Sequence, residues 1–135
     1  MFIDTNVLVY AHDRSETRKQ PIAWAVLDDL WQRRAGSLST QVLQEFYVVA
    51  TRKFDPPMSP SDAREIVALY GEWLLVEIDV ALILAASKLG ERHKMSFWDA
   101  LIVEAADRSG ATRLLTEDLQ DGRRIRGVRI VNPFA

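Results

Sequence analysis

Cysteine is absent from the 135 residues. That excludes a disulfide framework and any thiolate-held metal, and it suits a reducing compartment. Histidine is nearly absent as well. His12 and His93 are the only two, and both lie outside the acid-containing blocks described below, which argues against a zinc site and against histidine-based acid–base chemistry. No long hydrophobic run is present. The longest, Val80 to Ala86, is far too short to cross a bilayer. The opening MFIDTNVLVY carries an acid at position 4 and no positive leader, so no signal peptide is expected and the expected location is cytoplasmic. A large excess of positive charge is missing too. The net charge is −2 and the pI about 5.7, which argues against gripping nucleic acid by bulk charge.

What is there describes an ordinary globular chain. Hydrophobic residues make up 48% and charged ones 27%, enough apolar material for one core without metal or disulfide staples. The length fits a single domain over residues 1–135. Basic residues are grouped locally, as Arg33–Arg34, Arg52–Lys53 and the set Arg123, Arg124, Arg126 and Arg129.

Strand and helix signals alternate along the chain. Phe2-Ile3 reads as a short buried strand and Asn6 to Ala11 as the start of a helix. Gln20 to Arg34 has helical periodicity, with Pro21 suited to its first turn. Gly36 breaks that pattern, Ser37–Ser39 is a candidate strand, and Thr40 is placed to cap a helix running to Lys53. Pro56-Pro57 marks a loop and Ser59 to Gly71 a helix with a good start signal. Leu74 to Ile78 reads as a strand, and Asp79 is placed to cap the helix Val80 to Glu91. Ser96 and Asp99 have capping-box spacing and open a helix to Arg108, stopped by Gly110. Thr112 to Thr116 and Val128 to Val131 complete the strands. The alternation predicts an α/β fold, a three-layer α/β/α sandwich with a mainly parallel central sheet. Ligands then belong at the carboxyl ends of the strands, where Asp4 and Asp118 both fall.

Four acids sit where a solvated surface acid does not belong. Asp4 is enclosed between Met-Phe-Ile and Thr-Asn-Val-Leu-Val. A carboxylate in such a run needs a partner, a metal or a shifted pKa, or it serves as a helix N-cap. Glu45 lies at the margin of the apolar face centred on Phe46, Val42 and Ala50, near Val49 and Arg52, where it reads equally well as a site acid or as a surface acid paired with Arg52 or solvated. In the helix after Ser96, a turn of ~100° per residue centres the apolar face near Trp98, Ile102 and Ala105 and the solvent face near Glu104, Asp107 and Arg108. Asp99 falls well away from that solvent face and in the first turn, where the helix dipole favours negative charge. Asp118 follows the strand ending at Thr116 and reads either as a site acid or as part of an acidic turn that starts the next helix. Asp121, with Gly122 behind it, has the look of a turn residue and is held as an extra outer-sphere group. Setting the four principal acids aside turns the net −2 into +2.

These blocks resemble the PIN-domain family. Phe2-Ile3-Asp4-Thr5-Asn6-Val7-Leu8-Val9-Tyr10 is similar to its opening strand, and Gln41 to Val49 to the helix that supplies its Glu. Ser96-Phe97-Trp98-Asp99-Ala100-Leu101-Ile102 is similar to its Asp-Ala-hydrophobic helix, and Leu114-Leu115-Thr116-Glu117-Asp118 to its last acidic site. No block is specific alone; the ordered set, spanning nearly the whole chain, is. The single-domain length resembles the VapC-type toxins of toxin–antitoxin pairs. The resemblance implies an endoribonuclease using Mg²⁺ or Mn²⁺, with Asp4, Glu45, Asp99 and Asp118 ligating or orienting the ion and Asn6 and Thr116 as polar supports. It also implies an RNA substrate, a homodimer, and an antitoxin partner whose C-terminal segment blocks the site.

The chemistry agrees with that implication. Phosphodiester hydrolysis needs activated water and a stabilised charge-rich transition state, and hard divalent cations on carboxylates supply both. Two carboxylates about 5 Å apart repel by roughly 3 kcal/mol at an effective dielectric near 20, a penalty that a cation removes. Competing readings fare worse. A haloacid-dehalogenase-like phosphatase needs a second Asp two residues after the first, where this chain has Asn6, and a receiver domain needs a late Lys where Glu117 stands. A non-toxin nuclease of RNA processing and a non-catalytic domain of the same fold remain as alternatives. Trp24, Trp31 and Trp73, in expected peripheral helices, suit either core filling or an interface.

Overall fold

The computed structural model describes residues 1–135. Six strands and six helices alternate: β1 (Phe2–Ile3), α1 (Thr5–His12), α2 (Lys19–Arg33), β2 (Ser37–Ser39), α3 (Thr40–Arg52), α4 (Pro60–Tyr70), β3 (Leu74–Val76), α5 (Val80–His93), α6 (Phe97–Arg108), β4 (Arg113–Leu115), β5 (Arg124–Ile125) and β6 (Val128–Val131). The sheet order is β3-β2-β1-β4-β6-β5. Every pairing is parallel except that of β5 with β6. Helices flank this sheet, α1 to α4 packing among themselves and α5 against α6, which gives the expected α/β/α layering.

Parallel central strands have no solvated face, so they read as unbroken apolar or small runs. Phe2, Ile3, Leu114 and Leu115 are buried, and they pair as Phe2 with Leu114 and Ile3 with Leu115. From β1 the chain crosses to β2 on one side, while β4 lies on the other side and pairs onward to β6. The strand order therefore reverses between β1 and β4, and in open α/β sheets ligands bind at the carboxyl ends of strands at such a switch point. Asp4 follows β1 and Thr116 follows β4, with the Asp4 N–H donating to Leu115 O at 3.0 Å.

Helix starts follow local capping chemistry. Ser59, Asp79 and Ser96 each accept a bond from a backbone N–H three residues on. For α3 the cap is Ser39 rather than Thr40: Ser39 Oγ accepts from Val42 N at 3.4 Å, and Thr40 is already helical. The Thr40 hydroxyl instead accepts from Ile78 N, so it joins two strand ends.

Four other readings of the sequence are revised. The β5 strand was not foreseen; it forms an antiparallel hairpin with β6. That hairpin brings Arg126 onto Glu104 at 2.8 Å. Glu104, expected at the centre of a solvent face, is thereby buried, and α6 is buried continuously from Ala100 to Ala106. Trp98, expected on the apolar face, is 63% exposed, because it precedes the buried stretch. Trp73 lies in no helix; it follows the turn after α4, is buried, and packs edge-on against Trp31 and Tyr70. A Cβ at Gly36 would come within 2.3 Å of the Trp73 ring, so this position admits glycine alone.

Candidate active site

The carboxyl ends of β1 and β4 carry a connected set of polar side chains. Asp4 is 5% exposed and caps α1, its Oδ1 accepting from Thr5 N at 2.7 Å. Its Oδ2 accepts from Thr116 Oγ1 at 2.8 Å and from Asn6 Nδ2 at 3.4 Å. Thr116, itself fully buried, also accepts from Asn6 Nδ2 and from Asp118 N, both at 3.1 Å. Asn6 Nδ2 further donates to Asp118 Oδ2 at 3.1 Å. Asp4, Asn6, Thr116 and Asp118 thus form one network across the switch point, bound through neutral donors.

Glu45 enters from α3. Its Oε1 accepts from Thr5 Oγ1 at 3.0 Å, next to Asp4. Asp99 enters from the first turn of α6, half-buried, where Ser96 Oγ accepts its backbone N–H at 3.1 Å. Burial, helped by the charges of Asp118 and Glu45 and opposed by bonds from Thr116 and Thr5, pushes the Asp4 carboxyl up to about 7. Burial also raises the Asp99 carboxyl, against the Ser96 hydroxyl and with the Asp118 charge. Four acids remote in sequence therefore feel one another at this edge, and no ion pair involves any of them. Asp121 stands apart: its Oδ1 accepts from Asn132 N at 2.9 Å, and no hydrogen bond joins it to the other acids.

As they stand, no three of these carboxylates form a ready cation cage. Like charges repel, and neutral donors intervene: Thr5 Oγ1 holds Glu45, and Asn6 Nδ2 bridges Asp4 and Asp118. The donor set nevertheless suits a hard divalent cation. All four candidate ligands are carboxylate oxygens, and the innermost is a carboxyl raised chiefly by its burial and further by Asp118 and Glu45, with no cation of its own.

Two features escaped the sequence. Thr5 fixes Glu45, although only its place between Asp4 and Asn6 hinted at a role. Glu117 anchors the loop bearing Asp118. It pairs with Lys19 Nζ at 2.8 Å and accepts from Tyr10 O–H, while its backbone N–H donates to Asn6 Oδ1 at 3.4 Å. Burial pushes the Glu117 carboxyl up, but Lys19 and Tyr10 pull it below its ordinary value. The histidines lie elsewhere. His12 contacts Tyr70 Oη, and burial lowers its pKa to about 4; His93 meets Arg123. No helix is long and apolar enough to cross a membrane.

Comparison with known proteins gives this geometry a family. Among solved structures, a chain of a toxin–antitoxin complex from Klebsiella pneumoniae superposes with a TM-score of 0.67 at 19% identity, covering 98% of this chain and 96% of that one. VapC20 of Mycobacterium tuberculosis, described as a toxin that cleaves the sarcin–ricin loop, superposes with a TM-score of 0.59 at 18% identity, covering 84% of this chain and 85% of its own. At such identities the likeness is one of fold. No curated protein matches. The PIN domain family matches residues 1–126, and the chain belongs to that family.

Proposed function

We propose that this protein is a divalent-cation-dependent endoribonuclease and the toxin of a toxin–antitoxin pair. The observation that carries the reading is Asp4: a carboxylate 5% exposed, at the carboxyl edge of the sheet, held by neutral donors and facing the charges of Asp118 and Glu45. A fold that only needed to satisfy Asp4 would place a cation-bearing side chain there, as it does for Glu104.

In this reading Asp4, Glu45, Asp99 and Asp118 hold Mg²⁺ or Mn²⁺. When bound, the ion supplies an activated water and draws charge from the phosphate oxygens. The chain's own contribution is positioning. Thr116 and Asn6 keep the Asp4 carboxylate turned toward the edge and restrain Asp118, and Thr5 orients Glu45. Lys19 and Tyr10 lock Glu117 and so fix the loop that carries Asp118. Rigid supports of this kind determine how well a metal site works. The substrate is RNA, a protein antitoxin is the partner, the working form is a homodimer, and the site of action is the cytoplasm. The likeness to a chain of a toxin–antitoxin complex and to an RNA-cleaving toxin supports this assignment.

The test is incubation of structured and unstructured RNA with the wild-type chain and with Asp4→Asn, in Mg²⁺, Mn²⁺ or EDTA. Cleavage by wild type that stops in EDTA and in Asp4→Asn is expected. Equal cleavage by Asp4→Asn, or none by wild type with either ion, contradicts the reading.

A further inference from the structure

Beside the acid edge lies a cleft of about 430 Å³, lined by Gln41, Gln44, Glu45, Val48, Val49 and Trp98. It is open to solvent on the side where α3 meets the start of α6. Three observations bear on its occupant. Trp98 is 63% exposed, a large apolar ring left in water whose one aromatic neighbour, Phe97, meets it edge-on. Gln41 is buried, its Nε2 makes one long bond of 3.4 Å to Trp98 O, and its Oε1 has no partner at all. A buried acceptor left unpaired is unfavourable until a donor reaches it, and the terminal torsion of a glutamine is soft enough to turn its amide. Finally, Glu45 belongs both to the cleft and to the carboxylate network, and Trp98 immediately precedes Asp99.

We propose that this cleft is a nucleobase subsite. A base of single-stranded RNA, next to the phosphate at the acid edge, stacks on Trp98 and exchanges hydrogen bonds with the Gln41 and Gln44 amides. A flat aromatic face accepts any base, while an amide with both donor and acceptor discriminates among base edges. Val48 and Val49 supply the apolar floor. Double-stranded RNA keeps its bases stacked on each other, so the subsite selects unpaired nucleotides. The protein then has two adjoining parts that share Glu45, a carboxylate edge that cuts and an aromatic cleft that chooses where. This inference rests on the ribonuclease reading, and its test separates the two.

The test measures binding of a fluorescein-labelled, single-stranded oligoribonucleotide by anisotropy, in Mg²⁺ and in the Asp4→Asn background so that nothing is cut. One abasic nucleotide is moved along the strand in a series. One abasic position is expected to weaken binding about tenfold. Adding Trp98→Ala should weaken the intact strand by a similar factor and abolish the abasic effect, whereas Trp98→Phe should keep most of both. Gln41→Leu should alter which base is preferred at that position. In parallel, Trp98→Ala alone should raise KM for cleavage about tenfold while changing kcat less. Trp98 is exposed, so its loss does not threaten the fold.

Wild-type affinity of Trp98→Ala for the intact strand, or an abasic penalty unchanged by Trp98→Ala, overturns the subsite. A Trp98 that serves only a protein partner gives those same results and counts against it. Cleavage by the wild-type chain with a flat abasic series leaves the nuclease and removes the subsite. An abasic penalty that depends on Trp98, in a chain that cuts nothing, does the reverse.

Discussion

Two carboxylates are buried to almost the same degree, Asp4 at 5% exposure and Glu104 at 6%, and their surroundings are opposite. Glu104 receives two guanidinium bonds from Arg126, at 2.9 and 2.8 Å. Asp4 receives a threonine hydroxyl, a backbone N–H and a distant amide, and faces Asp118 and Glu45. The same chain can thus neutralise a buried acid when stability is the only demand. At the sheet edge it leaves one raised to about 7. Leaving a charge unpaired costs stability, and such costs concentrate at functional sites.

The contrast can be broken by substitution. The largest effect is expected at the acid edge. Asp4→Asn or Asp99→Asn should lower RNA cleavage by at least ~100-fold, since each removes an oxygen ligand from the proposed ion. The metal-free fold should become as stable or more so. Ser96 caps α6 through the backbone N–H of residue 99, so an amide there keeps the cap. An Asp99→Asn chain that unfolds by circular dichroism would assign Asp99 to capping instead.

Next comes Arg126→Ala. It strands Glu104 without its cation and should cost about 2–4 kcal/mol in urea denaturation, the partial exposure of Arg126 tempering the loss. Cleavage should persist at temperatures where the variant is folded. A smaller effect is expected for Thr116→Val, which keeps shape but removes the donor to Asp4 Oδ2. Loss of such a support typically weakens metal affinity ~10–100-fold, readable by Mn²⁺ titration. The smallest should come from Arg33→Ala. The exposed Arg33–Asp29 pair is worth at most about 0.5 kcal/mol.

Acidity sharpens the same comparison. The Asp4 carboxyl is raised to about 7 in the fold, against an ordinary 3.8. Between those values the folded chain holds a proton that the unfolded chain has released. Asp4 therefore favours the metal-free fold fully below about pH 4 and loses that contribution as pH rises to about 7. Unfolding free energy measured across this window should fall more steeply for wild type than for Asp4→Asn. Parallel curves would mean that Asp4 is already ionised and stabilised in the fold.

Much of this edge was readable in the sequence, because it depends on local signals. Phe2-Ile3 and Leu114-Leu115 are short apolar runs that end in acids, and parallel strands bring such ends together. Ser96 and Asp99 have the spacing of a helix start, whereas the supporting place of Asn6 and Thr116 follows from the resemblance to PIN domains and not from a local signal; in the fold both donate to Asp4. What escaped depends on contacts between remote segments. The two-residue strand β5 begins with an exposed arginine and has no periodicity to detect. Its hairpin delivers Arg126 to Glu104 across 22 positions, so a helical wheel drawn on α6 alone misassigned that face. The lock on Glu117 joins residues 98 and 107 positions apart. Nor could spacing reveal that the acids, drawn to one edge, stay apart as Thr5 and Asn6 hold them.

The central claim is that Asp4 is held unpaired for a divalent cation. Calorimetric titration of Mn²⁺ into the metal-free chain at pH 6.5, in two buffers of different ionisation enthalpy, tests it directly. A carboxyl with a pKa of about 7 is largely protonated there and must release its proton to bind a cation. Binding with net proton release, lost in Asp4→Asn, is the expected result. No binding at all, or binding of equal strength and proton count in Asp4→Asn, would contradict it.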